Sequence, residues 1–298
     1  MKAKDFYLLL KNTYEEWRDD RASMMAAALA YFTIFSLAPL AIIMIAIAGL
    51  FFGEKAAQGQ LVAGIQGMVG EHGAYVIQGL IKNSAGKKAG ILAAAIGFAT
   101  MVFGASKLFC ALQDALNSVW QIEVPKGGFK GMIRKRLISM GVVLMSGLLL
   151  LASLFAGTAL AAVRNLVGDL IPGIGYLFVL INFLLPFLLM TTLFAVIFKV
   201  LPDARIAWGD VWVGAAATSF FFAIGQMLIS FYLGSRNMAS TYGAAGSLVV
   251  LIFWINLAAQ IFLYGAEFTQ VYACRYGSCI EPAKGLRADS TSREGRSE

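Results

Sequence analysis

The chain has 298 residues, 59% of them hydrophobic and 14% charged, with a net charge of +7. A soluble domain is nearer half apolar and a quarter charged, so one water-soluble core is excluded and a bilayer is the indicated solvent. The positive balance fits cytoplasmic Lys and Arg holding a membrane topology better than it fits a nucleic-acid binder.

In chain order, residues 5–20 come first. Phe6, Leu9, Leu10, Tyr14 and Trp17 recur at helical spacing, which predicts a helix lying at the cytosolic interface. The first apolar run starts near residue 24 and is too long for a signal-peptide core, so the expectation is entry through the chain's own first span. Six apolar runs are long enough to cross: Met24–Phe52, Gly90–Phe109, Ile138–Ala162, Ile174–Phe198, Val211–Tyr232 and Ser247–Ala273. Each reaches the roughly 20 residues that ~30 Å of hydrocarbon requires. Unpaired backbone is not tolerated in lipid, so helices are predicted throughout.

The expected architecture is all-α and polytopic, one membrane domain over residues 1–275. Seventeen Lys and Arg fall on the side of the N-terminus, the second and fourth connections and the tail. Six fall on the other side, which places both termini in the cytoplasm. Residues 57–82 carry Leu61, Ile65, Met68, Val69, Val76 and Leu80 at helical spacing, expected as amphipathic helices on the outer surface. Residues 120–136 form a basic cytosolic connection. Residues 276–298 are short of apolar side chains and are expected to be a disordered tail. Pro39 and Pro186 lie midway in spans one and four, as helix kinks would in two inverted three-helix halves.

Polar groups within the spans carry the functional argument. In 26–40, "AAALAYFTIFSLAPL", Ala26, Ala27, Ala28 and Ala30 predict close approach by another helix, with Tyr31 and Ser36 bonding across the contact. On span two, Ser106, Lys107, Cys110, Asp114 and Asn117 share a face: an amphipathic extension into the headgroups or one wall of a cytosolic vestibule. In the fourth connection, Asp203 or Asp210 is expected to cap the next helix or pair with Arg205. The outer connection, "GSRNMASTYGAAGS", reads as a tight approach, a re-entrant bend or a gate. On the last span Asn256, Gln260, Tyr264 and Glu267 fall at i, i+4, i+8 and i+11 on one face. Such a stripe faces the bundle or a wet cavity, either as interhelical packing or as a substrate pathway. Glu267 is expected to meet Lys107 or Arg21 rather than lie alone at depth. Cys274 and Cys279 read as cytosolic free thiols.

Enzyme chemistry finds little support. The one histidine, His72, lies in an outer connection, and no GxSxG, HExxH or P-loop occurs. No metal spacing and no cofactor site is expected.

The stretches "AAALAYFTIFSLAPL" (26–40), "ALNSVW" (115–120), "LPDARIAWGDVWVGA" (201–215) and "YGAAGSLVVLIFWINLAAQIFLYGAEFTQVYA" (242–273) resemble the YihY/BrkB family over about residues 5 to 275. The resemblance implies a six-helix bacterial inner-membrane protein. It brings historical labels of ribonuclease BN and virulence factor, and a suggested role in lipid or solute export. It brings no catalytic or binding residues. A nuclease needs a carboxylate cluster or a histidine acid and base, which these residues do not offer. The expectation is therefore a non-enzymatic transporter or exporter of a lipid or amphiphile, or alternatively a membrane scaffold of the envelope. The expected partners are membrane lipids, such a substrate and a second copy of the chain, without nucleic acid.

Overall fold

The computed structural model describes residues 3–36, 107–123, 174–235, 238–282 and 287–288, with single helical positions at 58–59, 62, 78, 141 and 145. Pro39, most of 57–82, the connection beyond 123, and spans two and three apart from 107–109, 141 and 145 lie outside the described residues.

Helix α1 runs Ala3–Asp19, with Asp5 in its first turn and Arg18 in its last, the charge order that the helix dipole favours. Leu9 and Thr13, one turn apart, are fully buried, while Phe6, Tyr7 and Tyr14 are exposed. At the junction Arg21 takes a left-handed φ of 52°, which turns the chain into α2, Ala22–Ser36. Helix α3 covers 107–119 and ends at Gln121, φ 54°, before the two-residue strand β1, Ile122–Glu123.

The long helices follow. They are α4 (Ile174–Val200), α5 (Trp208–Ser235) and α6 (Met238–Tyr276). Strand β2, Ala204–Arg205, lies between α4 and α5. Helices α4 and α5 begin and end within three residues of the fourth and fifth apolar runs. The outer connection before span six differs, since residues 238–246 continue α6 as helix instead of forming a loop. Pro186 sits inside α4, where it withholds a backbone N–H from the carbonyl of Asn182.

Among the described residues three helices are long and apolar enough to cross a membrane: Phe183–Val200, Trp208–Ile229 and Val249–Tyr276. At most 39% of any of these stretches is buried. Phe183 (73% exposed) and Met227 (76%) typify the outward faces, which only a lipid solvent makes inexpensive. The inward faces meet in an aromatic core of Trp120, Phe194, Phe198 and Phe262, with ring centroids 5.3–6.4 Å apart along the chain of contacts.

Of the expected disordered tail, 276–298, the described residues are 276–282 and 287–288, and they carry two short strands. Strand β3, Glu281–Pro282, pairs antiparallel with β2, and β4, Arg287–Ala288, pairs with β1. Low hydrophobicity left backbone pairing unforeseen there, because a ladder of this kind needs no apolar side chains.

Candidate functional site

The α5–α6 contact is set by two glycines and two threonines. A Cβ at Gly214 would overlap the Thr269 side chain, and one at Gly265 would overlap Thr218. Each threonine thus fills the space above the other helix's glycine, in antiparallel register. Both hydroxyls donate to the carbonyl four residues back, Thr218 to Gly214 and Thr269 to Gly265, at 2.7 Å. Each hydroxyl, the threonine atom nearest the facing glycine, is thereby satisfied within its own helix while the side chain packs on bare backbone. Gly-xxx-Thr occurs at identical spacing in both spans, a signal present in the sequence and missed there.

Helix α6 is the hub of the described bundle. From Phe262 to Thr269 only Tyr264 is not buried. Trp120 Nε1 donates to the Ala266 carbonyl from α3 (3.2 Å), and the Tyr264 hydroxyl donates to the Leu10 carbonyl of α1 (3.2 Å). A helix enclosed on all sides belongs to the core.

Glu267 lies in that enclosed stretch. It is 0% exposed, and both carboxylate oxygens are shut off from solvent. Buried polar atoms without a hydrogen-bond partner among the described residues include Trp17 Nε1 on α1, Ser219 Oγ on α5 and Gln270 Oε1 on α6. Lys107 and Arg21, the cations expected beside Glu267, are both solvent-exposed residues. Higher on α6, Gln260 Nε2 donates to Asn256 Oδ1 at 2.6 Å, and both residues are half-buried. The stripe is thus divided: an amide pair, a tyrosine tied to α1, and a sealed carboxyl.

Two polar residues of α3, Gln113 and Asn117, reach the α4–α5 turn. Asn117 accepts from the Asp203 backbone N–H (2.9 Å) and donates to Asp203 Oδ2 (3.1 Å). Gln113 donates to the same oxygen at 3.1 Å. These bonds dock α3 onto the α4–α5 turn. Asp210 neither caps α5 nor takes Arg205. Its Oδ2 accepts from the Ser278 N–H and hydroxyl, each at 3.0 Å, and a Cβ at Gly277 would collide with that carboxylate. Lys199 donates to the Ile206 carbonyl and lies 5.4 Å from the Trp208 ring centroid.

Two further expectations are corrected. Tyr31 is 59% exposed and packs against Phe35, because the buried face of α2 runs through Ala22, Ala26, Ala30 and Ser36. Ala27 and Ala28 likewise face outward. Ser36 donates to the Thr33 carbonyl within α2. Cys274 and Cys279 are disulfide-bonded to each other rather than free, while Cys110 is outside any disulfide. Among the described residues no group of three or more His, Cys, Asp or Glu could hold a metal ion.

A family profile described as Virulence factor BrkB matches residues 13–288, which take in α2 through β4 and the last part of α1. The chain belongs to the BrkB family. Similar curated proteins are named UPF0761 membrane proteins. That of Methylibium petroleiphilum is 29% identical over 86% of this chain and 60% of its own length. That of Verminephrobacter eiseniae is 27% identical over 86% of this chain and 60% of its own length. That of Mannheimia succiniciproducens is 24% identical over 89% of each. This BrkB-family chain therefore spans about 60% of the length of the first two relatives. No solved structure matches it. With the apolar helices described above, these relatives make it an all-α membrane protein.

Proposed function

We propose that this BrkB-family chain passes a lipid or amphiphilic solute across the bacterial inner membrane, along the polar face of α6. The observation that carries this reading is the sealed carboxyl of Glu267 on the helix that α1, α3 and α5 surround. The partnerless Trp17, Ser219 and Gln270 atoms lie on elements that pack with α6 or belong to it. Each buried orphan of this kind costs about 1–3 kcal/mol, a cost that a polar passenger or its water would relieve. In this reading Glu267 carries a proton or meets the passenger's headgroup, with Arg21 and Lys107 as the candidate cations of the pathway. Both termini face the cytoplasm, the protein works without a cofactor, and it is not an enzyme. Two copies pairing through lipid-facing helices is part of the same proposal.

The test is flux of a fluorescent phospholipid or amphiphile in proteoliposomes. Glu267→Gln and Asn256→Leu should lose most of the flux while expression and melting temperature hold. Unchanged flux in both, or no flux in the wild type with any lipid class, would sink the proposal.

One observation favours a scaffold reading instead. The Asn256, Gln260 and Tyr264 side chains already bond within the chain. If those bonds only fix packing, the same substitutions lower the melting temperature and leave no separate transport phenotype.

A further inference from the structure

We propose that Cys274 and Cys279 form a reversible thiol–disulfide pair that controls how firmly the segment after α6 is clamped to the bundle. The proposal is independent of transport itself but rests on the cytoplasmic placement of the C-terminal end given in the proposed function. Their Cα atoms are 4.0 Å apart and their sulfurs are bonded, so closing the bridge requires no chain search. Cys274, in the last turn of α6, is exposed, and Cys279 is half-buried, which leaves the pair open to a reagent from solvent. The two cysteines enclose Gly277 and Ser278, the residues that rest on Asp210. Cys279 itself holds a left-handed φ of 55° and donates its N–H to the Ala273 carbonyl at 3.0 Å. Directly beyond it, Glu281–Pro282 pairs with Ala204–Arg205. The bridge therefore sits at the one point where α6 passes into the strap that ties down the α4–α5 turn.

Without the bridge, the hold on residues 277–282 is a few hydrogen bonds in an exposed turn, the contact of half-buried Ile280 with the core and a two-residue ladder. Such bonds exchange readily with water. The crosslink removes open conformations of this short loop and favours the docked one. A cytosolic disulfide is usually transient and redox-sensing rather than structural. Two thiolates without further ligands do not make a metal site.

The chemistry requires an external disulfide of the glutathione type. The Cys274 thiolate attacks one of its sulfurs, forming a mixed disulfide and expelling one thiolate. The Cys279 thiolate then attacks the Cys274 sulfur and expels the second. Two electrons pass from the pair to the external disulfide, and the two protons released from the cysteines go to solvent or to the expelled thiolates. Excess external thiol runs both steps backwards.

The experiment uses the full chain in nanodiscs equilibrated in glutathione buffers of graded potential. Alkylation and peptide mapping count the free thiols at Cys274 and Cys279, and hydrogen exchange follows the amides of residues 277–282. The expected result is a two-electron transition within the glutathione range, with exchange at those amides at least five-fold slower in the oxidised form. Cys279→Ser and, separately, Cys274→Ser should exchange at the reduced wild-type rate in every buffer. A pair that stays reduced or stays oxidised across the range overturns the proposal. So does equal exchange in the two states.

Discussion

Thr269 occupies the space in which a side chain at Gly214 would lie, and Thr218 does the same above Gly265. The helices α5 and α6 approach this closely because each offers a bare backbone to the other's β-branched residue. In lipid, where apolar association gains little from water, such packing is a main source of helix–helix affinity. Gly214→Ala should therefore lower stability by about 1–3 kcal/mol, the usual cost of overpacking. The double variant Gly214→Ala/Thr269→Gly should recover part of that loss, because the obstacle has been removed. Thermal unfolding in detergent with a double-mutant cycle reads the coupling, and strict additivity would refute the reciprocal fit.

The Asn117–Asp203 bracket makes a second prediction. Asn117→Ala removes both an acceptor from the Asp203 N–H and a donor to its carboxylate. Leaving this part-buried main-chain donor unmet should cost about 1 kcal/mol, and at most about 3. Asp203→Asn keeps the backbone bond and a side-chain acceptor, so its loss should be clearly smaller. Melting temperatures of the two variants decide the order. If Asp203→Asn is the worse of the two, the carboxylate's charge matters more than the bracket.

These two contacts also mark how far the sequence was legible. Apolar runs announce helices directly, so α4, α5 and the inner part of α6 were readable. The span through 238–246 was not, since its glycines and polar residues resemble a loop until helix continuity overrides them. Asn117 and Asp203 were each visible as polar residues near a span end. Their pairing joins positions 86 apart in sequence, which periodicity within one segment does not register. The outward turn of Tyr31 is a matter of phase: one residue past the buried Ala30 is 100° around the helix. The inward direction of Glu267 was legible from the cost of charge in lipid. Which cation, Lys107 or Arg21, it would meet depends on distances between helices, and spacing along one helix carries nothing about those.

Arg21 carries a left-handed backbone at the α1–α2 junction, a conformation that favours glycine. Arg21→Gly should hold or raise stability by up to roughly 1 kcal/mol, while Arg21→Val should lower it, since a β-branched residue is poorly tolerated there. Chemical unfolding of the two variants gives the comparison. If Arg21 also serves the proposed pathway, Arg21→Gly reduces flux in proteoliposomes while its stability is intact. That combination separates a charge requirement from a backbone requirement at one position.

The last prediction concerns Tyr264 and α1. The tyrosine hydroxyl is the described hydrogen bond by which α6 holds α1, through the Leu10 carbonyl, and Leu9 and Thr13 pack on the same side of that helix. Tyr264→Phe removes the bond and leaves the ring, its contact with Phe221 at a centroid distance of 5.4 Å, and the volume unchanged. The Leu10 carbonyl retains its place in the α1 backbone ladder, so the loss should be modest, about 0.5–1.5 kcal/mol. It should fall on α1 alone. Hydrogen exchange in residues 3–19 should accelerate about two- to ten-fold, with α4, α5 and the rest of α6 unaffected, because local opening follows local bonding. If α1 covers the proposed pathway, the same variant raises flux instead of lowering it, opposite in sign to Glu267→Gln. Exchange that accelerates equally through all helices would mean that Tyr264 supports the whole bundle, and α1 would then be a fixed part of the core instead of a separable cover.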